Sequence, residues 1–139
     1  MKITTHSEAG TRAAAKKLAT RLTGGETIGL VGDLGAGKTA FTKGLAAALG
    51  VTATVTSPTF VLMKVYPSRH RTIRHVVHVD AYRLRGGASL KAIGLDDYIG
   101  APDSVVIIEW ADRVKKIVPK GARIITFMHA ADSERIITL

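Results

Sequence analysis

The sequence contains no cysteine, and this absence excludes several kinds of site. A chain without thiols forms no disulfide, has no cysteine nucleophile and holds no metal through thiolates. Long apolar runs are also lacking, since no stretch approaches the roughly 18 residues of a membrane-spanning helix. The first six residues, Met-Lys-Ile-Thr-Thr-His, have no apolar signal-peptide segment. We therefore expect a cytoplasmic protein with no membrane partner.

Acidic residues are scarce relative to basic ones. The chain has 11 Asp and Glu against 20 Lys and Arg, which gives a formal net charge of +9 at pH 7. This balance favours a polyanionic partner, either nucleic acid or an acidic protein surface, although a basic surface can also serve solubility alone. The length of 139 residues suffices for one packed core but leaves no room for a second large lobe. We expect one domain spanning residues 1–139.

One stretch carries a specific chemical signature. Residues 32–39, Gly-Asp-Leu-Gly-Ala-Gly-Lys-Thr, fit the pattern G-x-x-x-x-G-K-[ST] of a phosphate-binding P-loop. They lie between a strand-like run at residues 26–31 and an Ala/Leu-rich, helix-like run at residues 40–49. The glycines let backbone N–H groups converge on a polyphosphate, Lys38 can reach the β- and γ-phosphates, and Thr39 offers a hydroxyl to Mg²⁺. The loop predicts a nucleotide together with Mg²⁺.

The type of nucleotide follows from two absences. The dinucleotide fingerprint G-x-G-x-x-G fails because its third glycine would fall at Ala40. No [NT]-K-x-D segment, which reads guanine in GTPases, is present, so we expect ATP. The residues expected to contact ATP are Gly32, Asp33, Leu34, Gly35, Ala36, Gly37, Lys38, Thr39, Ala40 and Thr59.

Two carboxylates come directly after apolar strands. Glu109 follows the run at residues 104–108, and Asp80 follows the run at residues 76–79. Ligands of open α/β sheets bind at the carboxyl ends of the strands, where an acid can hold Mg²⁺ or its waters. One acid could bind the metal while the other orients water, and the pattern leaves this assignment open. Either acid by itself could also be an ordinary strand-end carboxylate.

Four side chains are weaker candidates. Ser57 and Thr59 could approach the γ-phosphate as a switch loop, or they could simply form a turn around Pro58. Arg83 and Arg113 could offset negative charge in the transition state, but an arginine near an acid is more often part of a structural ion pair.

Histidine, tryptophan and the basic cluster have less specific interpretations. His75 and His78, three residues apart on a strand, point to opposite faces and so form a poor metal pair. Trp110 is expected to pack, and its place beside Glu109 makes it a useful reporter. The basic cluster consists of Arg69, His70, Arg71 and Arg74. It could touch a polyanion or only keep a hairpin tip solvated.

The whole pattern predicts an α/β fold of the P-loop NTPase type, with a mixed central sheet flanked by helices. Short apolar runs predict an antiparallel hairpin between residues 61–66 and 73–79 and two closing strands at residues 122–128 and 136–139. A first helix is predicted to begin at residues 6–9 and to extend to Leu22. The segment at residues 88–99 is weakly helical and interrupted by Gly94.

Four segments together resemble one family. They are residues 32–39, residues 56–60 (Thr-Ser-Pro-Thr-Phe), residues 78–84 (His-Val-Asp-Ala-Tyr-Arg-Leu) and residues 108–110 (Ile-Glu-Trp). Their order is that of TsaE proteins, also called YjeE, and the resemblance extends over nearly the whole chain. Proteins of this family are small P-loop ATPases that support synthesis of threonylcarbamoyladenosine beside the anticodon of tRNAs. They act with TsaD and TsaB.

The resemblance implies roles for individual residues. Lys38 and Thr39 would bind phosphate and Mg²⁺, Glu109 would be a Mg²⁺ ligand, and Asp80 would be needed for hydrolysis. The loop at residues 57–59 would act like a switch. Lys38, Asp80 and Glu109 are thus the expected catalytic residues, and Thr39 and Glu109 the expected metal ligands.

The same resemblance implies partners and a role in the pathway. TsaD and TsaB homologues are the expected partners, and tRNA would be reached through their complex. ATP hydrolysis would reset that complex between turnovers, without transfer of the threonylcarbamoyl group by this chain. Two other functions are alternatives to the accessory ATPase. One is a small-molecule kinase, for which the sequence shows no acceptor pocket or arginine-bearing lid. The other is a nucleic-acid-binding module with a vestigial P-loop.

Overall fold

The computed structural model describes residues 1–33, 35–57, 62–84, 86 and 88–139. Within these ranges the strands are β1 (Lys2–Thr5), β2 (Thr27–Gly32), β3 (Met63–Pro67), β4 (His75–Asp80), β5 (Ser104–Glu109), β6 (Arg123–His129) and β7 (Arg135–Thr138). The helices are α1 (Glu8–Ala19), α2 (Lys38–Ala48) and α3 (Ala88–Ala92), with short 3-10 helices at Leu95–Asp97 and Ala111–Val114. None of the helices in the described ranges is long and apolar enough to cross a membrane.

All the strands belong to one mixed sheet with the order β1-β7-β6-β2-β5-β4-β3. The four central strands, β6, β2, β5 and β4, run parallel to one another. β3 is antiparallel to β4, and β7 is antiparallel to both β6 and β1. The mixed sheet and the antiparallel hairpin predicted from the sequence are therefore confirmed.

Two apolar cores lie on opposite faces of the sheet. On one face, Leu18 of α1 and Phe41 of α2 pack in the same cluster as Ile107 of β5. On the other face, Leu90 of α3 packs in a second cluster with Ile108 of β5. Because both faces of β5 are covered, the strand is buried along its whole length, as its continuous apolar run predicted.

The helix boundaries differ from the prediction at the end of α1 and at the start of α2. α1 ends at Ala19 and not at Leu22, because the chain turns at Thr20, whose hydroxyl donates to the carbonyl of Lys17. α2 begins at Lys38, two residues before the predicted start. The break at Gly94, where φ is +93°, separates α3 from the following 3-10 helix as expected.

β1 was not predicted. Only Thr5 of its four residues is buried, so the strand has no apolar pattern that sequence analysis could detect. It is defined by its partner, since Lys2 to Thr5 pair in antiparallel register with Thr138 to Arg135 of β7.

Candidate functional site

A cleft of about 280 Å³ opens where the carboxyl ends of β4 and β5 meet the start of α2. Its walls are formed by Gly35, Gly37, Lys38, Thr39, Ala40, Ser57, Asp80, Tyr82, Glu109 and Trp110. The parallel arrangement of β2, β4 and β5 explains this position, because parallel strands bring the loops after their carboxyl ends to one edge of the sheet.

The P-loop presents the N-terminus of α2 to this cleft. Gly37 is the N-cap, with φ at +107°, a backbone conformation that residues other than glycine rarely adopt. It has no side chain to cap the helix, and the first helical bond is the one from the N–H of Phe41 to the carbonyl of Gly37. The N–H groups of Lys38, Thr39 and Ala40 precede that bond and so lack helical partners. Such a helix start is suited to bind an anion.

Lys38 is a buried cation in the wall of the cleft, with only 4% of its surface exposed. Its Nζ donates to the carbonyl oxygens of Gly32 (2.6 Å) and Asp33 (2.7 Å) and lies 4.0 Å from the centre of the Trp110 ring. Burial lowers the pKa of Lys38, while the negative charge of Glu109 opposes this shift.

Glu109 is a buried carboxylate whose two oxygens have different partners. Oε1 accepts a hydrogen bond from the Thr39 hydroxyl at 3.0 Å. Oε2 lies 2.5 Å from Nε2 of His78. The Thr39 hydroxyl is also 3.2 Å from the Ser57 hydroxyl. The start of α2, the end of β5 and the segment at Ser57 therefore bring oxygen atoms together at one point.

Asp80 is the second acid of the cleft. It lies beside Glu109, because β4 and β5 pair in parallel with Asp80 opposite Glu109. Its Oδ1 accepts the backbone N–H of Tyr82 at 3.0 Å. Burial raises the pKa of Asp80, and the neighbouring charge of Glu109 raises it further, whereas the Tyr82 bond opposes the shift. Asp80 is thus a better proton acceptor than an exposed aspartate.

Aromatic rings lie at the mouth of the cleft. Tyr82 and Trp110 have ring centres 4.9 Å apart, and the Arg113 guanidinium carbon is 5.2 Å from the centre of each ring. Trp110 adopts a left-handed backbone conformation, with φ at +61°. Arg113 contacts these rings, so the structure places it beside the cleft and not in its wall.

The donor atoms fit Mg²⁺ bound together with a nucleotide. In the described ranges no group of three or more His, Asp and Glu side chains forms a metal site by itself. Mg²⁺ typically takes one or two carboxylates from a protein and completes its shell with phosphate oxygens and water. Thr39 and Glu109 provide hard oxygen atoms beside a helix start suited to phosphate.

Most residues predicted for the site meet in this cleft, namely Gly35, Gly37, Lys38, Thr39, Ala40, Asp80 and Glu109, with Ser57. Gly32 and Asp33 lie outside its wall and hold Lys38 through their carbonyl groups. Ala36 is buried, and its N–H donates to the carbonyl of Asp33. Arg83 is exposed after Asp80. Leu34 and Thr59 lie outside the described residues, so the expectations for them stay predictions.

Sequence analysis missed two features. It correctly placed His75 and His78 on opposite faces of β4, where His75 contacts Tyr98, but it did not connect His78 with Glu109. The sequence contained part of the signal, since His78 and Asp80 are two residues apart on a strand and must share a face. The pairing of β4 with β5, which brings Glu109 to that face, is known only from the structure.

The second feature is a cavity of about 200 Å³ on the other side of the P-loop. Its walls are Ser7, Glu8, Thr11, Gly35, Gly37, Ala40, Ser133 and Arg135. Nε of Arg135 donates to the carbonyl of Gly35 at 3.2 Å. No sequence pattern predicts this cavity, because its lining residues come from three distant parts of the chain: residues 7–11, residues 35–40 and residues 133–135.

Comparison with known proteins agrees on one family. Residues 5–137 match the profile described as "Threonylcarbamoyl adenosine biosynthesis protein TsaE". The tRNA threonylcarbamoyladenosine biosynthesis protein TsaE of Bacillus subtilis is 39% identical over 128 residues, 92% of this chain and 77% of that protein. The protein of the same name from Streptomyces coelicolor is 45% identical over 102 residues, 73% of this chain and 67% of that protein. The crystal structure of Bacillus subtilis YdiB is similar with a TM-score of 0.78 and 34% identity, covering 99% of this chain and 82% of that one.

Proposed function

The chain belongs to the TsaE family, and from this premise we propose that it binds and hydrolyses Mg²⁺-ATP in the cleft. We further propose that hydrolysis serves the threonylcarbamoyladenosine modification of tRNA. The observation that carries the proposal is the meeting of Lys38 and the uncapped start of α2 with Glu109 and Asp80 in one cleft. Positive groups that suit a polyphosphate thus face two acids that suit a metal ion and a water.

Phosphate binding rests on the P-loop. The N–H groups at the start of α2 provide donors, and the helix dipole adds partial positive charge. Lys38 adds a full charge that burial keeps close to the loop. The second cavity shares Gly35, Gly37 and Ala40 with the cleft, so the nucleoside part of ATP would lie there, against Ser7 and Arg135.

Hydrolysis divides between the two acids. Thr39 and Glu109 would hold Mg²⁺, which when bound neutralises negative charge on phosphate oxygens. The hydrogen bond between Thr39 and Glu109 supports this assignment. Asp80 has a raised pKa and a position beside Glu109, which support a role in orienting the attacking water and accepting its proton.

The output of hydrolysis would be a conformational change in partner proteins. TsaD and TsaB homologues are the proposed partners, and tRNA would be reached through their complex. The family and the names of the relatives support a role in threonylcarbamoyladenosine synthesis on tRNA. A single domain over residues 1–139, which we also propose, would hold the nucleotide site and leave the transfer of the threonylcarbamoyl group to the partners.

Phosphate release from Mg²⁺-ATP tests the proposal. The protein is measured alone and together with the TsaD–TsaB complex and its tRNA. We expect slow release by the protein alone and a strong increase with the partners. Release that the partners leave unchanged would contradict the accessory role, and phosphate transferred to a metabolite in place of water would identify a kinase.

A further inference from the structure

Glu109 is held from two directions by side chains of other elements. Thr39, at the start of α2, donates to Oε1, and His78, in the middle of β4, contacts Oε2. An ionised carboxylate only accepts hydrogen bonds, so Nε2 of His78 donates in this contact. Both oxygens of Glu109 are therefore fixed, and the orientation of the carboxylate is set by the protein.

We propose that His78 is a positioning residue that orients Glu109 toward Mg²⁺. This inference rests on the proposed function, in which Glu109 binds the metal. Outer partners of metal ligands commonly fix the orientation of the ligand, and their loss weakens metal binding about 10- to 100-fold. If Thr39 were engaged by the metal, His78 would be the side chain left to hold Glu109 among the described residues.

Strand register explains how His78 reaches Glu109. His78 lies opposite Ile107, and Asp80 lies opposite Glu109, in the parallel pairing of β4 with β5. Successive residues of a strand alternate between faces, so His78 and Asp80 share the face that Glu109 also uses. Glu109 is thus the diagonal neighbour of His78, within reach of its ring.

The imidazole is a poor choice for packing alone. His78 is fully buried, and its Nδ1 has no hydrogen-bond partner in the part of the chain that the structure describes. The adjacent strand positions are filled by Val76, Val77 and Val79, which bury no side-chain polar atom. A buried, unpaired nitrogen lowers stability. The contact with Glu109 is what distinguishes histidine from an apolar residue here.

The test uses the tryptophan beside the site as a reporter. Trp110 is the single tryptophan of the sequence and contacts Lys38, so its fluorescence should report nucleotide binding. ATP affinity is measured in EDTA and over a series of Mg²⁺ concentrations, and hydrolysis is followed in parallel. The variants are H78A and H78Q, since glutamine keeps a side-chain N–H that can donate to Glu109. The matched control is H75A, on the opposite face of β4.

In EDTA, we expect H78A to bind ATP with the same affinity as the wild type. In the Mg²⁺ series, H78A should need about 10- to 100-fold more Mg²⁺ to reach half of the maximal change in ATP affinity. H78Q should restore most of the Mg²⁺ response, and H75A should resemble the wild type. Circular dichroism establishes that each variant is folded. If H78A does not fold, the comparison of H78N with H78Q decides. The shorter H78N should need about 10-fold more Mg²⁺ than H78Q at equal ATP affinity in EDTA, and equal Mg²⁺ responses of the two variants would contradict the proposal.

Three outcomes would overturn the proposal. An unchanged Mg²⁺ response in folded H78A would show that His78 is structural only. Equal loss of ATP affinity in EDTA and in Mg²⁺ would show a general distortion of the cleft. A wild type whose ATP binding does not respond to Mg²⁺ at all would overturn the proposed function as well, which separates the two failures.

Discussion

The two ends of β4 and β5 differ sharply although the same strands form both. At the amino end the N–H groups of Arg74 and His75 both donate to the carbonyl of Asp103. The basic cluster lies at this end, and its three arginines are exposed. At the carboxyl end, Lys38 and Glu109 are charged groups almost fully buried.

This difference shows where the fold tolerates unfavourable burial. Charges at the amino end stay hydrated, and Nδ1 of His70 accepts the backbone N–H groups of Thr72 and Ile73, so that the ring organises the turn. Charges at the carboxyl end lose hydration and are stabilised by one another instead. Such an arrangement lowers stability unless a ligand uses it. We therefore expect substitutions at the carboxyl end to change nucleotide chemistry and those at the amino end to change little.

The largest effect is expected from D80N. Removing the proton acceptor should lower the rate of ATP hydrolysis about 100- to 10,000-fold. ATP affinity, followed by Trp110 fluorescence, should change little, because in the proposed mechanism Asp80 acts on water and not on phosphate. The control is D96N, which makes the same charge change at Asp96, an exposed acid in the 3-10 helix after α3. Unchanged hydrolysis in D80N would contradict the role given to Asp80.

K38A should have the next largest effect, on binding. A hydrogen bond to a charged group contributes about 1.5–3 kcal/mol, so ATP affinity should fall about 10- to 150-fold. K43A, on the same helix, removes one lysine outside the cleft and serves as the matched control. Calorimetric titration with ATP measures both variants. Equal affinities for K38A and K43A would show that the P-loop lysine does not contact the phosphates.

A smaller effect concerns stability and its dependence on pH. Because the folded state raises the pKa of Asp80, the folded protein binds this proton more tightly than the unfolded chain does. Asp80 therefore costs stability at neutral pH, and this cost disappears below the unfolded pKa of 3.8. D80N should raise Tm at pH 7, and the gain should shrink as the pH falls toward that value. Thermal unfolding from pH 7 to 4 measures it, and a gain that grows toward acid would contradict the sign.

The smallest effect is expected at the amino end. R71A removes an exposed charge from the hairpin turn and should change the free energy of unfolding by less than about 0.5 kcal/mol. ATP affinity and hydrolysis should match the wild type. Urea unfolding and phosphate release measure these quantities. A loss of ATP affinity in R71A would remove the contrast between the two ends.

Part of the candidate site could be predicted from the sequence, and part depends on how the strands pair. The P-loop, β5 and Glu109 follow from local patterns, because a glycine-rich loop and a continuous apolar run each specify their own geometry. The His78–Glu109 contact depends on the register between β4 and β5, which the sequence of either strand leaves open. Arg135 reaches Gly35 only because β7 lies beside β6, which in turn lies beside β2.

Thermal unfolding in the presence of Mg²⁺-ATP tests the central claim, that the buried charges at the carboxyl end form a nucleotide site. A ligand that binds only the folded state at 100 times its Kd stabilises it by about 2.7 kcal/mol, or about 8 °C in Tm. We predict a rise of this size for the wild type and for R71A, and a much smaller rise for K38A at the same concentration. A wild-type Tm that does not change with Mg²⁺-ATP would contradict the account.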